Sequence, residues 1–198
     1  MDLKTKAFDQ TTFDLGYCGG FYGSVYNPYN KCLYLTRNMK VGADADWDIP
    51  YIDFSSTPTL GAVELPTEYV GFRGGVFCPT NGSVYIPMST VNNGANAYLL
   101  KITSAHVASE INPDDTFQSK QINSTLYSPD DRILLHAAGT IYRLKPEDDT
   151  LDTSITITNR FIQCFDKYGV LYSFANSEGN TYGIYKVPIK INNKESYI

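Results

Sequence analysis

FYGSVYNP, residues 21–28, returns 51 positions later as FRGGVFCP, residues 72–79. Two fainter copies follow, INSTLYSP at 122–129 and RFIQCFDK at 160–167. Each copy sets an apolar position before an aromatic: Val25-Tyr26, Val76-Phe77, Leu126-Tyr127 and Cys164-Phe165. Pro28, Pro79 and Pro129 stand two residues beyond the aromatic, and a second apolar run comes next. Those runs are KCLYLT (31–36), SVYIPM (83–88), RILLHA (132–137) and GVLYSF (169–174). Asn30, Asn81-Gly82, Asp130-Asp131 and Lys167-Tyr168-Gly169 fall between the paired runs, where tight turns favour Asn, Asp and Gly. The pattern predicts four β-hairpins.

A third phrase lies further on in each unit: Tyr51-Ile52-Asp53-Phe54, Leu99-Leu100-Lys101-Ile102, Ile141-Tyr142-Arg143-Leu144 and Ile184-Tyr185-Lys186-Val187. Aligned without gaps, these put a charge third and an apolar residue fourth, the short alternation of a strand buried on one face. A weaker fourth strand is expected at AVEL (62–65), VASEI (107–111) and SITIT (154–158). No segment has a convincing helical period, and 115–121 has room for one helical turn.

A unit of three or four strands thus recurs at spacings of about 50, 50 and 38 residues. This resembles the β-propeller, whose four-stranded blades repeat about a central channel with periods of about 40–50 residues. The resemblance covers nearly the whole chain and is one of architecture: the Trp-Asp signature of WD40 blades and the sialidase box are missing, and Gly74-Gly75 is only faintly kelch-like. It implies a single all-β domain over residues 1–198, with four blades at about 16–66, 67–115, 116–158 and 159–198. A strand within residues 3–15 is expected to complete blade 4, hiding an otherwise open sheet edge. The alternative is a β-sandwich of hairpins.

The composition is that of a folded chain, 42% hydrophobic and 14% aromatic, with sixteen Tyr and ten Phe suited to cross-strand pairs. Net charge is −5 and no basic run occurs, so bulk nucleic-acid binding is not expected. No apolar run is long enough to span a bilayer, and MDLKTKAFDQTTFDL has no signal-peptide core, so a cytoplasmic location is expected. Cys18, Cys32, Cys78 and Cys164 lack metal-ligand spacing and read as small buried hydrophobes.

Catalytic motifs are thin. His106 and His136 lie in no metal or nucleophile pattern, and His136, inside RILLHA, reads as a strand residue. Asp44, Asp46 and Asp48 alternate like the opening of a calcium loop, in which a hard cation gathers several carboxylates. Ile49 then stands where the loop's glycine belongs, and Ser55 where its bidentate Glu belongs, so a solvated acidic loop is the better reading. No metal or cofactor is expected.

The propeller resemblance implies that the loops entering the innermost strands share one channel mouth with the loops joining second and third strands. Tyr22, Arg73, Asn123 and Phe161 then occupy equivalent places, with Arg160 beside the last. The second-to-third loops are 37–49, 89–96, 138–140 and 175–182, and the longest carries the three Asp and the only Trp, Trp47. Trp47, Tyr22 and Arg73 are expected on one face, pairing an aromatic platform with a donor. The function expected is a non-catalytic protein-binding or assembly module, leaning away from an enzyme. In style the chain resembles bacteriophage structural and host-interaction proteins, which would make the location a virion. The alternatives are nucleotide or sugar binding at the mouth, with Arg73 and Arg160 taking anionic groups, and a glycan-acting enzyme using Asp44, Asp46 and Asp48.

Overall fold

A computed structural model describes residues 21–37, 48–65, 69–70, 74–90, 97–112, 122–156, 160–166, 169–177 and 181–187. Every regular element among them is a strand. Blade 1 is β1 (Phe21–Asn27), β2 (Cys32–Arg37), β3 (Asp48–Asp53) and β4 (Thr59–Glu64), paired antiparallel in that order. Blade 2 begins with an inner strand in two pieces, β5 (Tyr69–Val70) and β6 (Val76–Cys78). Both pieces pair with β7 (Ser83–Thr90), and β8 (Ala97–Ile102) and β9 (Ala108–Ile111) follow. Blade 3 is β10 (Ile122–Ser128), β11 (Arg132–Ala137), β12 (Thr140–Lys145) and β13 (Thr150–Thr156). Blade 4 is β14 (Arg160–Phe165), β15 (Leu171–Ser177) and β16 (Thr181–Val187). The chain is an all-β propeller of about four blades. Its sheets stand as four separate units, unlike the two stacked layers of a sandwich.

Turn chemistry sets the first hairpin of each blade. Asn27 and Asn30 accept hydrogen bonds from the backbone N–H of Tyr29 and Cys32, and Asn81 does the same for Ser83. The residue just before the second strand has a left-handed backbone in blades 1–3, Lys31, Gly82 and Asp131 with φ of 56°, 69° and 61°, and in blade 4 it is Gly169, two residues before β15, at 76°. Pro28, Pro79 and Pro129 lie in these turns, where a missing N–H costs no ladder bond.

The core is a series of seams, each between the back face of one blade and the front face of the next. In the first, Val25, Tyr34, Ile49 and Val63 meet Val84, Ile86, Met88, Leu100 and Ile102. In the second, Cys78, Tyr85, Leu99 and Ile111 meet Ile133, Leu135, Tyr142 and Leu144. In the third, Leu134 and Ile141 meet Ile162 and Leu171. Residues that hydrogen-bond within one sheet thus send alternate side chains into two different seams, as the two-residue period of a strand requires.

Polar bonds repeat with the seams. Asn30 Nδ2 donates to Tyr34 Oη and to the Ser104 carbonyl of blade 2, at 2.9 and 3.0 Å. Asn81 Nδ2 donates to Tyr85 Oη and to the Pro146 carbonyl of blade 3, at 2.8 and 2.9 Å. Tyr34 Oη lies 3.2 Å from His106 Nδ1, and Tyr85 Oη donates to Asp149 at 2.8 Å. Burial holds the Tyr34 phenol up at about 12 and pushes that of Tyr85 up as well, so both hydroxyls remain protonated.

Strand register corrects the third phrase in blade 1. Tyr34 pairs with Tyr51, whereas its equivalents Tyr85, Leu134 and Tyr172 pair with Lys101, Arg143 and Lys186. The aligned phrase is therefore Ile49-Pro50-Tyr51-Ile52, two residues earlier than the sequence pattern placed it, and Tyr51 replaces the charge. The substitution matches its seam: Tyr51 stacks on His106 at 4.2 Å, whereas Lys101 forms an ion pair with Asp149 at 2.6 Å. The outer strands β4 and β13 also begin earlier than AVEL and SITIT suggest, at Thr59 and Thr150. Cys32 and Cys78 are buried as expected, but Cys164 is exposed, because it sits on the back face of blade 4. Cys18, the strand expected within 3–15 and the helical turn at 115–121 lie outside the described residues.

Candidate functional site

The inner strands β1, β10 and β14 all begin at one end of the molecule, beside the ends of the second strands β2, β11 and β15 with which they pair. Tyr22 and Asn123 are each the second residue of an inner strand. The pairing runs Phe21 to Arg37 and then Gly23 to Thr36, leaving Tyr22 without an opposite residue. In blade 3 it runs Ile122 to Ala137 and then Ser124 to His136, leaving Asn123 likewise. Both positions are β-bulges, which bend a strand and re-aim the extra side chain.

Blade 2 carries a larger irregularity at the same level. Its inner strand pairs with β7 at Val70–Ser89 and again at Val76–Tyr85, so the two pairs are six positions apart on one strand and four on the other. Arg73 falls between Val70 and Val76 in sequence and, like Trp47, lies outside the described residues. In blade 4 the bulge is shifted to Gln163, so Arg160 and Phe161 remain in register with Ala175 and Phe174. Of the expected mouth residues, Tyr22, Arg160 and Phe161 are placed by their backbone and Asn123 is half-buried. The expectation that Trp47, Tyr22 and Arg73 share a face falls outside the described residues.

Just inside the bulges the inner strands come very close. A Cβ on Gly23 would lie 2.7 Å from Gly74 Cα, so glycine is needed there to let two backbones touch. Thr125 Oγ1 donates to the Gly74 carbonyl at 3.2 Å, drawing β10 to the same point. The glycines in FYG and FRGG thus mark where neighbouring inner strands meet. Two polar atoms at this level, Thr36 Oγ1 and Ser124 Oγ, are shut off from solvent and find no hydrogen-bond partner among the described residues. They sit opposite or beside the bulges, and their signal in sequence is only their adjacency to the variable second position. His136, opposite Ser124, is almost wholly buried, and that burial holds its imidazole below the ordinary value.

The acidic stretch is shorter than expected, because Asp48 opens β3 and pairs with Glu64 across the sheet. Asp44 and Asp46 lie outside the described residues, and among those described no group of three His, Cys, Asp or Glu residues is placed to hold a metal. The His106 cluster with Tyr34 and Tyr51 escaped the sequence reading. It belongs to the first seam at the opposite end of the strands from the bulges, and His106 has a positive φ of 61° that no local residue pattern announces.

Four antiparallel sheets packed face to face in series, with inner-strand bulges at one end, define the class as a β-propeller. No protein-family model matches the chain, and no curated protein is significantly similar to it. Solved structures are similar in fold. Virginiamycin B lyase from Staphylococcus aureus matches 86% of this chain at 16% identity, with a TM-score of 0.57. Kuenenia stuttgartiensis hydrazine synthase matches 91% at 13% identity and 0.59, and the dihydro-heme d1 dehydrogenase NirN matches 86% at 9% identity and 0.56. The chain spans 57%, 49% and 37% of those three proteins. Identities this low show shared architecture.

Proposed function

We propose that the chain is a non-catalytic binding module that holds a protein partner at the mouth where the inner strands begin. The observation that carries this reading is the coincidence of bulges at Tyr22 and Asn123 with the two-piece inner strand of blade 2, β5 and β6. Bulges are retained where a strand must re-aim a side chain, and here they fall where the sequence repeat varies while its scaffold positions stay constant. A setting in the cytoplasm or in a virion rests on the style of the sequence alone.

A second reading, a nucleotide- or sugar-sized ligand, draws on the shielded hydroxyls of Thr36 and Ser124, since buried polar groups ordinarily find a partner. The glycan-acting reading has no such observation, because Asp48 is taken up in β3. The test combines cross-linking mass spectrometry in extracts of the source cells with thermal-shift measurements against nucleotides and sugars. A cross-linked partner lost in Arg73→Ala and Asn123→Ala supports the protein-binding reading. A ligand-induced rise in Tm of several degrees, lost in Asn123→Ala, replaces it with the second. Partner capture indifferent to both substitutions overturns the placement at the mouth.

A further inference from the structure

Among the described residues, the two terminal faces of the blade series carry exposed and half-buried apolar side chains in the places that the internal seams bury. The front face of blade 2 presents Val84, Ile86, Leu100 and Ile102, and that of blade 3 presents Ile133, Leu135 and Leu144, all wholly buried. By strand register, the same places in blade 1 hold Leu33, Leu35, Pro50 and Ile52, flanked by Tyr26 and Leu60. Pro50 is buried, but among the described residues the others are less covered than their equivalents: Tyr26 is 47% exposed, Leu60 42%, and Leu33, Leu35 and Ile52 are only half-buried.

The back face of blade 4 mirrors this. Ile49, Leu99 and Ile141 plug the three internal seams at 0% exposure, whereas their equivalent Ile184 is 73% exposed. Cys164, in the place of the seam residues Val25 and Val76, is exposed too. Among the described residues β1 neighbours β6, β6 neighbours β10 and β10 neighbours β14, but β14 and β1 share no comparable contact and no apolar core joins blades 4 and 1. The chain matches 57% and 49% of two solved structures that are longer than it is.

We propose that two copies of the chain close one ring, the back face of blade 4 in each copy packing on the front face of blade 1 in the other. The occupant that fits blade 1 is a back face of the kind this chain builds three times, and the free one is on blade 4. The two junctions so formed are related by a two-fold axis, as in most closed homodimers. This concerns the terminal faces of the blade series and does not depend on what the mouth binds.

The test is a cross-link placed by the repeat. A Cβ on Gly75 would touch Val25 Cγ1 at 3.2 Å across the first seam. Gly75 corresponds to Ser24, and Val25 to Cys164, so Ser24→Cys sets a thiol against native Cys164 across the proposed junction. Mild oxidation of Ser24→Cys is expected to give a disulfide-linked species of two chains, lost when Cys164→Ser is added. Light scattering of the unmodified protein should read two chains of 22.1 kDa, and Ile184→Asp, changed at an exposed site, should read one with an unaltered β circular-dichroism spectrum. A disulfide formed within one chain would show closure by four blades alone and overturn the proposal. So would a one-chain mass for the unmodified protein, or an Ile184→Asp protein that keeps two chains.

Discussion

Gly23 and Gly74 lie at the same level of neighbouring inner strands, yet they are under different constraints. The space beside Gly23 is filled by the Gly74 backbone, which cannot move aside as a side-chain end would. A Cβ added to Gly74 meets nothing within 4 Å. Gly23→Ala is therefore expected to destabilise the protein by about 1–3 kcal/mol, the usual cost of overpacking, read as a lower urea midpoint. Gly74→Ala should stay within about 0.5 kcal/mol of the unmodified protein. Equal losses would show that both glycines serve backbone conformation and not close approach. The pair was legible as a repeat in FYG and FRGG, but only the packing of β1 against blade 2 tells which glycine is indispensable.

Hairpins are joined across the seams by one recurring latch. In blade 2 it consists of Asn81, Tyr85 and Lys101, which reach the turn 146–149 of blade 3. Tyr85 is wholly buried, and its hydroxyl both accepts from Asn81 and donates to Asp149. Tyr85→Phe keeps the packing and removes both bonds, so a loss of about 1–3 kcal/mol in chemical denaturation is expected, since Asn81 loses one partner in a part-buried site. Asp149 keeps Lys101, so adding Lys101→Met to Tyr85→Phe should cost more than the sum of the two single changes, a coupling of about 0.5–3 kcal/mol. Strict additivity would mean the latch members act separately. The latch also explains the charged third position of the strand phrase, which in blade 1 gives way to the Tyr51–His106 stack.

At the scale of the whole molecule, stability comes from seams between sheets, so the same residue place has a different weight in each blade. Ile86 and Leu35 are equivalent by register, but Ile86 is sealed in the first seam and Leu35 is half-buried on the front face of blade 1. Ile86→Ala should cost about 2–5 kcal/mol, combining lost burial with a cavity. In the Ile184→Asp background, where the proposed ring is opened, Leu35→Ala should cost about 1 kcal/mol, because less apolar area leaves water there. Equal losses at the two sites would mean that blade 1 is covered within its own chain.

The repeat was readable from the sequence because each blade uses the same local physics. Aromatic and β-branched alternation favours a strand, and Asn, Asp, Gly and Pro at matched offsets favour a turn. Those preferences act over a few residues and determined the hairpins, their order and the propeller architecture. They did not determine register in β3, because Tyr51-Ile52-Asp53-Phe54 satisfies the charge-third pattern and the true phrase, Ile49-Pro50-Tyr51-Ile52, does not. Nor did they separate a bulged second residue, as at Tyr22 and Asn123, from the paired one at Phe161. Register, bulges, the Gly23–Gly74 approach and the exposure of Ile184 all depend on partners distant in the chain. Only packing of one sheet against the next decides them.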